Sequence, residues 1–156
     1  MPASEEQRRR VREAVDRLRQ DVVDVSRSLH RNPELGLSEH RARDLLVSRI
    51  EALGFEVATP VAGLDTGFTA RFDGRGPGPV IAFLAEYDAL PDLGHACGHN
   101  VIAASSFGAA AALREIVQET GGAVLLVGTP DEEAVSDRSK GGKVVMARAG
   151  VFDPVD

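Results

Sequence analysis

The chain has 156 residues, 43% of them apolar, and a formal net charge of −6. A chain of this length can bury roughly 70% of its unfolded surface, so one globular core needs no cross-links. The acidic balance argues against a nucleic-acid partner, and the longest apolar runs, 80–85 and 123–127, are far too short to cross a bilayer.

No apolar signal segment precedes these runs, and the N-terminus is polar and mixed in charge. Cys97 is the only cysteine, so no intrachain disulfide is available. The expectation is a soluble cytoplasmic protein. Arg8-Arg9-Arg10 is interleaved with acids and reads as a solvated helix face.

Ser4 and Gln7 form a capping-box pattern. Val11, Val15, Leu18, Val22, Val25 and Leu29 then recur at steps of four and three, predicting a long helix that ends near Asn32-Pro33 and packs on a sheet. Ser38 is the expected cap of a second helix, with Ala42, Leu45, Leu46, Ile50 and Leu53 inward and Gly54 stopping it. A strand can start over 55–57. Phe68, Ala70 and Phe72 alternate as in a half-buried strand, and the Gly/Pro-rich segment 74–79 breaks the chain. A hairpin between strands 67–72 and 80–85 is the simplest reading. Residues 80–85 are apolar on both faces, as in a central strand covered on both sides.

A small-residue helix is expected from about residue 100 to 117, then a buried strand over 123–127 and a short helix over 142–149 ending at Gly150. Val155 is expected to open another strand. Strand, helix, strand in that order predicts an α/β fold, a three-layer α/β/α sandwich.

Both buried strands run into polar clusters. The first leads to Glu86-Tyr87-Asp88 and the loop from His95 to Asn100; the second leads to Thr129-Pro130-Asp131-Glu132-Glu133. Sites in open α/β sheets form beyond the carboxyl ends of strands, so acids, a thiol and imidazoles are expected at one edge. Cys97 and His99, one residue apart before a helix, suit a metal whose other ligands are carboxylates, and the helix N-terminus favours a thiolate. Cys-x-His alone is a weak signal; the carboxylates arriving from the next strand strengthen it. Of Glu132 and Glu133, one can bind metal while the other accepts a proton from water. His95 reads as a partner of a ligand, Asp88 as a group that orients a ligand histidine or caps a turn, and Glu86 is open between such roles. His30 and His40 carry no assigned chemistry. Lys140-Gly141-Gly142 lacks the spacing of a phosphate loop.

The strings Leu29-His30-Arg31-Asn32-Pro33-Glu34-Leu35-Gly36, Ala85-Glu86-Tyr87-Asp88-Ala89-Leu90-Pro91, Gly94-His95-Ala96-Cys97-Gly98-His99-Asn100 and Gly128-Thr129-Pro130-Asp131-Glu132-Glu133 resemble the zinc peptidase family of aminoacylases, glutamate carboxypeptidases and amidohydrolases. Within it they look most like the branch of aminobenzoyl-glutamate hydrolase and the β-alanyl-lysine type dipeptidases. The resemblance implies that Cys97, His99 and Glu133 are metal ligands and that Glu132 is the general base. It places Asp88 beside a ligand histidine in related branches, although Glu86 stands here where they carry that histidine. It implies two zinc ions in the complete enzyme, with manganese or cobalt as alternatives, and an N-acyl amino acid or dipeptide substrate. It also implies an inserted lid domain through which homodimerisation often occurs, while the short apolar runs leave no membrane partner expected. Residues 1–156 would then be the first portion of the catalytic domain, without that lid and without further ligand histidines. Asp131 and the stretch 134–140 depart from the family pattern, the latter with an expected effect on the substrate mouth. The rival readings are a cysteine-nucleophile hydrolase using Cys97 with His95 or His99, and a non-catalytic metal-binding or interaction module.

Overall fold

The structure is a computed structural model that describes residues 3–134 and 141–156. The expected capping box forms. Ser4 Oγ accepts from the Gln7 N–H, the Gln7 side chain accepts from the Ser4 N–H, and helix α1 (Glu5–Arg31) follows. Its apolar stripe is buried at Val25 and Leu29, but Val15 is 51% exposed and Ala14 is buried in its place. A strict seven-residue repeat drifts around a straight 3.6-residue helix, so a stripe that starts inward at one end has rotated off the core at the other. The main partner of α1 is helix α3 (His99–Thr120) rather than the sheet. The two approach closely at Gly108, where a Cβ would lie 2.7 Å from Val22 Cγ2.

Helix α2 (His40–Glu51) buries Ala42, Leu46 and Ile50. Ser38 does not cap it. The Glu34 carboxylate accepts from the Arg41 and Ala42 N–H groups at 3.2 and 2.9 Å, satisfying two of the orphan donors of its first turn.

Strands β1 (Glu56–Ala58), β2 (Phe68–Asp73), β3 (Val80–Ala85) and β4 (Ala123–Gly128) form one mixed sheet in the order β1-β2-β4-β3. The expected hairpin is absent: β4 lies between β2 and β3, antiparallel to the first and parallel to the second. Burial explains the exchange. All six residues of β4 are buried, whereas β3 is only partly covered and Ile81 is 42% exposed. The strand that is apolar on both faces takes the middle, and β3 takes the edge. Segment 74–79 seats against the entry to β4 instead of turning a hairpin, with Gly74 N–H donating to Gly122 O. Gly122, at φ +75°, lies so close that a Cβ would sit 2.0 Å from Pro79 O.

Val124 and Leu126 face the layer of α1, α2 and α3, while Ala123, Leu125 and Val127 face Met146 of helix α4 (Gly142–Arg148) together with Val151, Phe152 and Val155. That alternation yields the expected three layers. Val155 lies after a turn, and the next residue, Asp156, bonds its N–H to Val80 O at the edge of β3.

Candidate metal centre

Parallel pairing of β3 and β4, with Ala85 opposite Gly128, brings both carboxyl ends to the same edge. Tyr87, just beyond β3, is fully buried, stacks on Phe68 and donates its hydroxyl to Thr66 O at 2.6 Å. This anchor leaves the flanking Glu86 and Asp88 turned to His99. Beyond β4, Thr129 bonds back to Ala85 O through its N–H and hydroxyl, and Glu133 N–H donates to Asp88 Oδ2 at 3.0 Å.

His99 opens α3 after Gly98, whose φ of +83° suits glycine. The ring is 4% exposed and 1% of Asp88 is exposed. His99 Nδ1 lies 2.9 Å from Asp88 O and 2.8 Å from Asp88 Oδ1. In the neutral ring a proton on Nδ1 leaves Nε2 free to accept, and Nε2 faces Glu86 Oε2 and Glu132 Oε2 at 3.6 Å and Glu133 Oε1 at 3.8 Å. One ligand atom each of Glu86, His99 and Glu132 lies within 4.8 Å of the others. Cys97 is exposed, and its thiol comes under the influence of the Glu133 carboxylate. Lys143 completes the cluster, with Nζ 2.6 Å from Glu86 Oε1 and 2.9 Å from Glu132 Oε1.

The charges respond to this crowding. The hydrogen bond to Asp88 raises His99 to about 9 against the opposing effect of burial. Burial acts to raise Asp88, but the bonds from His99 and the Glu133 N–H outweigh it and hold the carboxyl low. Partial burial opposes the Lys143 charge, and Glu86 and Glu132 more than offset it. The Cys97 thiol is pushed up, first by the Glu133 carboxylate. The acids around this thiol override the helix N-terminus expected to favour a thiolate.

Four carboxylates, an imidazole with one nitrogen fixed and the other free, and a thiol form a donor set that fits a divalent transition metal. Cys97, His99, Glu132, Glu133 and Asp88 all gather at this edge. Glu86 and Lys143 are the additions. Glu86 lies directly after β3, a position that signals the strand edge, whereas only the fold brings Lys143 here from α4. Of the stretch 134–140, expected to affect the substrate mouth, residues 135–140 lie outside the described residues.

Residues 82–156 match the model of peptidase family M20/M25/M40. Over that stretch the chain is similar to this family. It is 39% identical to the Xaa-Arg dipeptidase of Mus musculus, over 96% of this chain and 36% of that protein. It is 36% identical to one of the polypeptides of the p-aminobenzoyl-glutamate hydrolase of Escherichia coli, over 92% of this chain and 32% of that polypeptide. Among solved structures, the YXEP protein of Bacillus subtilis, described as a dinuclear metal-binding peptidase of the M20 family, superposes with a TM-score of 0.78 at 30% identity. That match covers 90% of this chain and 42% of the other. The chain thus spans about a third of the length of the curated relatives it matches.

Proposed function

We propose that the protein carrying this chain is a zinc-dependent amidohydrolase that cleaves the amide bond of N-acyl amino acids or small dipeptides. The observation that carries the reading is His99, whose Nδ1 is fixed by Asp88 while Nε2 faces Glu86, Glu132 and Glu133. The names of the mouse and Escherichia coli relatives, a dipeptidase and an aminobenzoyl-glutamate hydrolase, supply the substrate class.

Cys97, His99 and Glu133 would hold metal, and Glu86 is a further donor on the same side. The ion would polarise the substrate carbonyl and acidify water. Asp88 keeps His99 in the tautomer that leaves Nε2 free, and through the Glu133 N–H it fixes the loop carrying both glutamates. Glu132 is the general base: 31% exposed, it can take a proton from the attacking water and return it to the leaving amine. Lys143 holds the other Glu132 oxygen. A nucleophilic Cys97 fits poorly, because the surrounding carboxylates, Glu133 first, raise its thiol and disfavour the thiolate. An exposed cysteine outside any disulfide suits a reducing compartment such as the cytoplasm. Homodimerisation, implied by the family resemblance, belongs to the same reading.

The test is hydrolysis of N-acyl amino acids and dipeptides by the complete protein, with chelator, with re-added zinc, manganese or cobalt, and with a thiol-alkylating agent. Activity lost to chelator and restored by metal is expected. Turnover that survives chelation but not alkylation would overturn the reading in favour of Cys97.

A further inference from the structure

Glu39 is completely buried at the start of α2, with its side chain between the segment that leads into β2 and the turn that follows β4. Its Oε1 accepts from the Asp131 N–H at 2.9 Å and its Oε2 from the Thr66 hydroxyl at 2.8 Å. No ion pair to it occurs among the described residues. A buried carboxylate without a cation is a poor way to stabilise a fold, so what it holds is informative. Asp131 is a non-glycine residue at φ +52°, in the left-handed region, and it directly precedes Glu132-Glu133. Gly36 abuts the same turn, where a Cβ would meet Asp131 Oδ1 at 2.1 Å. Thr66, the second partner, accepts from the Tyr87 hydroxyl through its carbonyl, and Tyr87 sits between Glu86 and Asp88.

We propose that Glu39 is a positioning residue that locks the Asp131 turn and so aims Glu132 and Glu133 at His99. Two buried carboxylates then grip the backbone on either side of Glu132, Glu39 at the Asp131 N–H and Asp88 at the Glu133 N–H. The chain Tyr87–Thr66–Glu39–Asp131 couples the end of β3 to the end of β4 without touching the ligand atoms. Glutamine can replace Glu39, since its carbonyl can accept from Asp131 and its amide can donate to Thr66 Oγ1; alanine cannot. The functional part of this inference rests on the metal reading above, but the backbone lock does not.

The test combines residue-resolved amide exchange, chelator-competition zinc titration and thermal melts on wild type, Glu39→Ala, Glu39→Gln and Thr66→Val. In Glu39→Ala the Asp131 amide should exchange at least about tenfold faster while Leu126 and Val127 stay protected, and zinc affinity should fall about tenfold or more. Glu39→Gln should keep both properties near wild type. If Glu39→Ala does not fold, Thr66→Val should show the same selective loss at Asp131 in a smaller degree. Unchanged Asp131 exchange, or a loss of protection shared equally by β4, overturns the proposal. A wild type that takes up no zinc while Asp131 still responds as expected sinks the metal reading and leaves the lock standing.

Discussion

Asp88 accepts the Glu133 N–H through Oδ2 while its Oδ1 and its main-chain carbonyl face His99 Nδ1, so one buried carboxylate holds both a candidate ligand imidazole and the loop beyond β4. Asp88→Asn keeps the shape but weakens the bond to His99 and removes a charge. Zinc affinity should drop by about 10- to 100-fold, as loss of a partner behind a ligand histidine does. Competition against a chromophoric chelator measures this, and affinity equal to wild type would show that Asp88 only terminates a turn.

Glu132 and Glu133 are adjacent but held differently, Glu132 by Lys143 through its side chain and Glu133 by Asp88 through its backbone. In the complete protein, Glu132→Gln should retain metal and lose about 100-fold or more in turnover. Glu133→Ala should release metal instead. Metal content and kcat of the two variants decide the matter; a Glu132→Gln variant that loses metal yet turns over normally once it is restored reverses the roles.

Much of this site is legible in the sequence, because runs 80–85 and 123–127 each end in acids and the intervening segment is long enough for a helical crossover. Parallel neighbours joined that way must present both ends at one edge. What the sequence hides is pairing order. A Gly/Pro break between 72 and 80 reads as a hairpin, and only the complete burial of β4 decides that it displaces β3 from the centre. The cap of α2 is hidden for a similar reason. A serine beside a helix start is a local signal, whereas Glu34 reaches the first turn from an irregular segment. Glu39 carries no sequence signature at all, since its partners at 66 and 131 are distant in the chain.

Lys143 is the one lysine or arginine paired with the acids of the centre among the described residues, bridging Glu86 and Glu132. Without metal it screens their repulsion; with metal it opposes the incoming charge. Lys143→Met should therefore lower the melting temperature of the metal-free protein and raise zinc affinity by up to about tenfold, with less effect at high salt. Calorimetric melts and zinc titrations read both changes, and a fall in affinity would mean that Lys143 instead aligns the carboxylates for binding.

Burial pushes the Glu39 carboxyl above its ordinary value, opposed by its bonds from the Asp131 and Glu39 N–H groups and the Thr66 hydroxyl. The folded state then holds this proton more tightly than the unfolded chain. Its stabilising contribution is fully present below the ordinary carboxyl value of 4.5 and is lost as pH rises through the raised value. Glu39→Gln stays neutral throughout, so its stability relative to wild type should rise as pH climbs above the ordinary carboxyl value of 4.5. Denaturant midpoints across a rising pH series test the sign. A wild type that gains on the variant with rising pH contradicts it.

Zinc titration of the purified chain against a competing chelator tests most directly whether the ends of β3 and β4, with His99 between them, build one divalent-cation site. The comparison is His99→Ala, with its folding verified by circular dichroism. Saturable binding by the wild type, weakened at least about tenfold in His99→Ala, is the predicted result. Equal affinity in the two proteins, or no binding by a folded wild type, would contradict it.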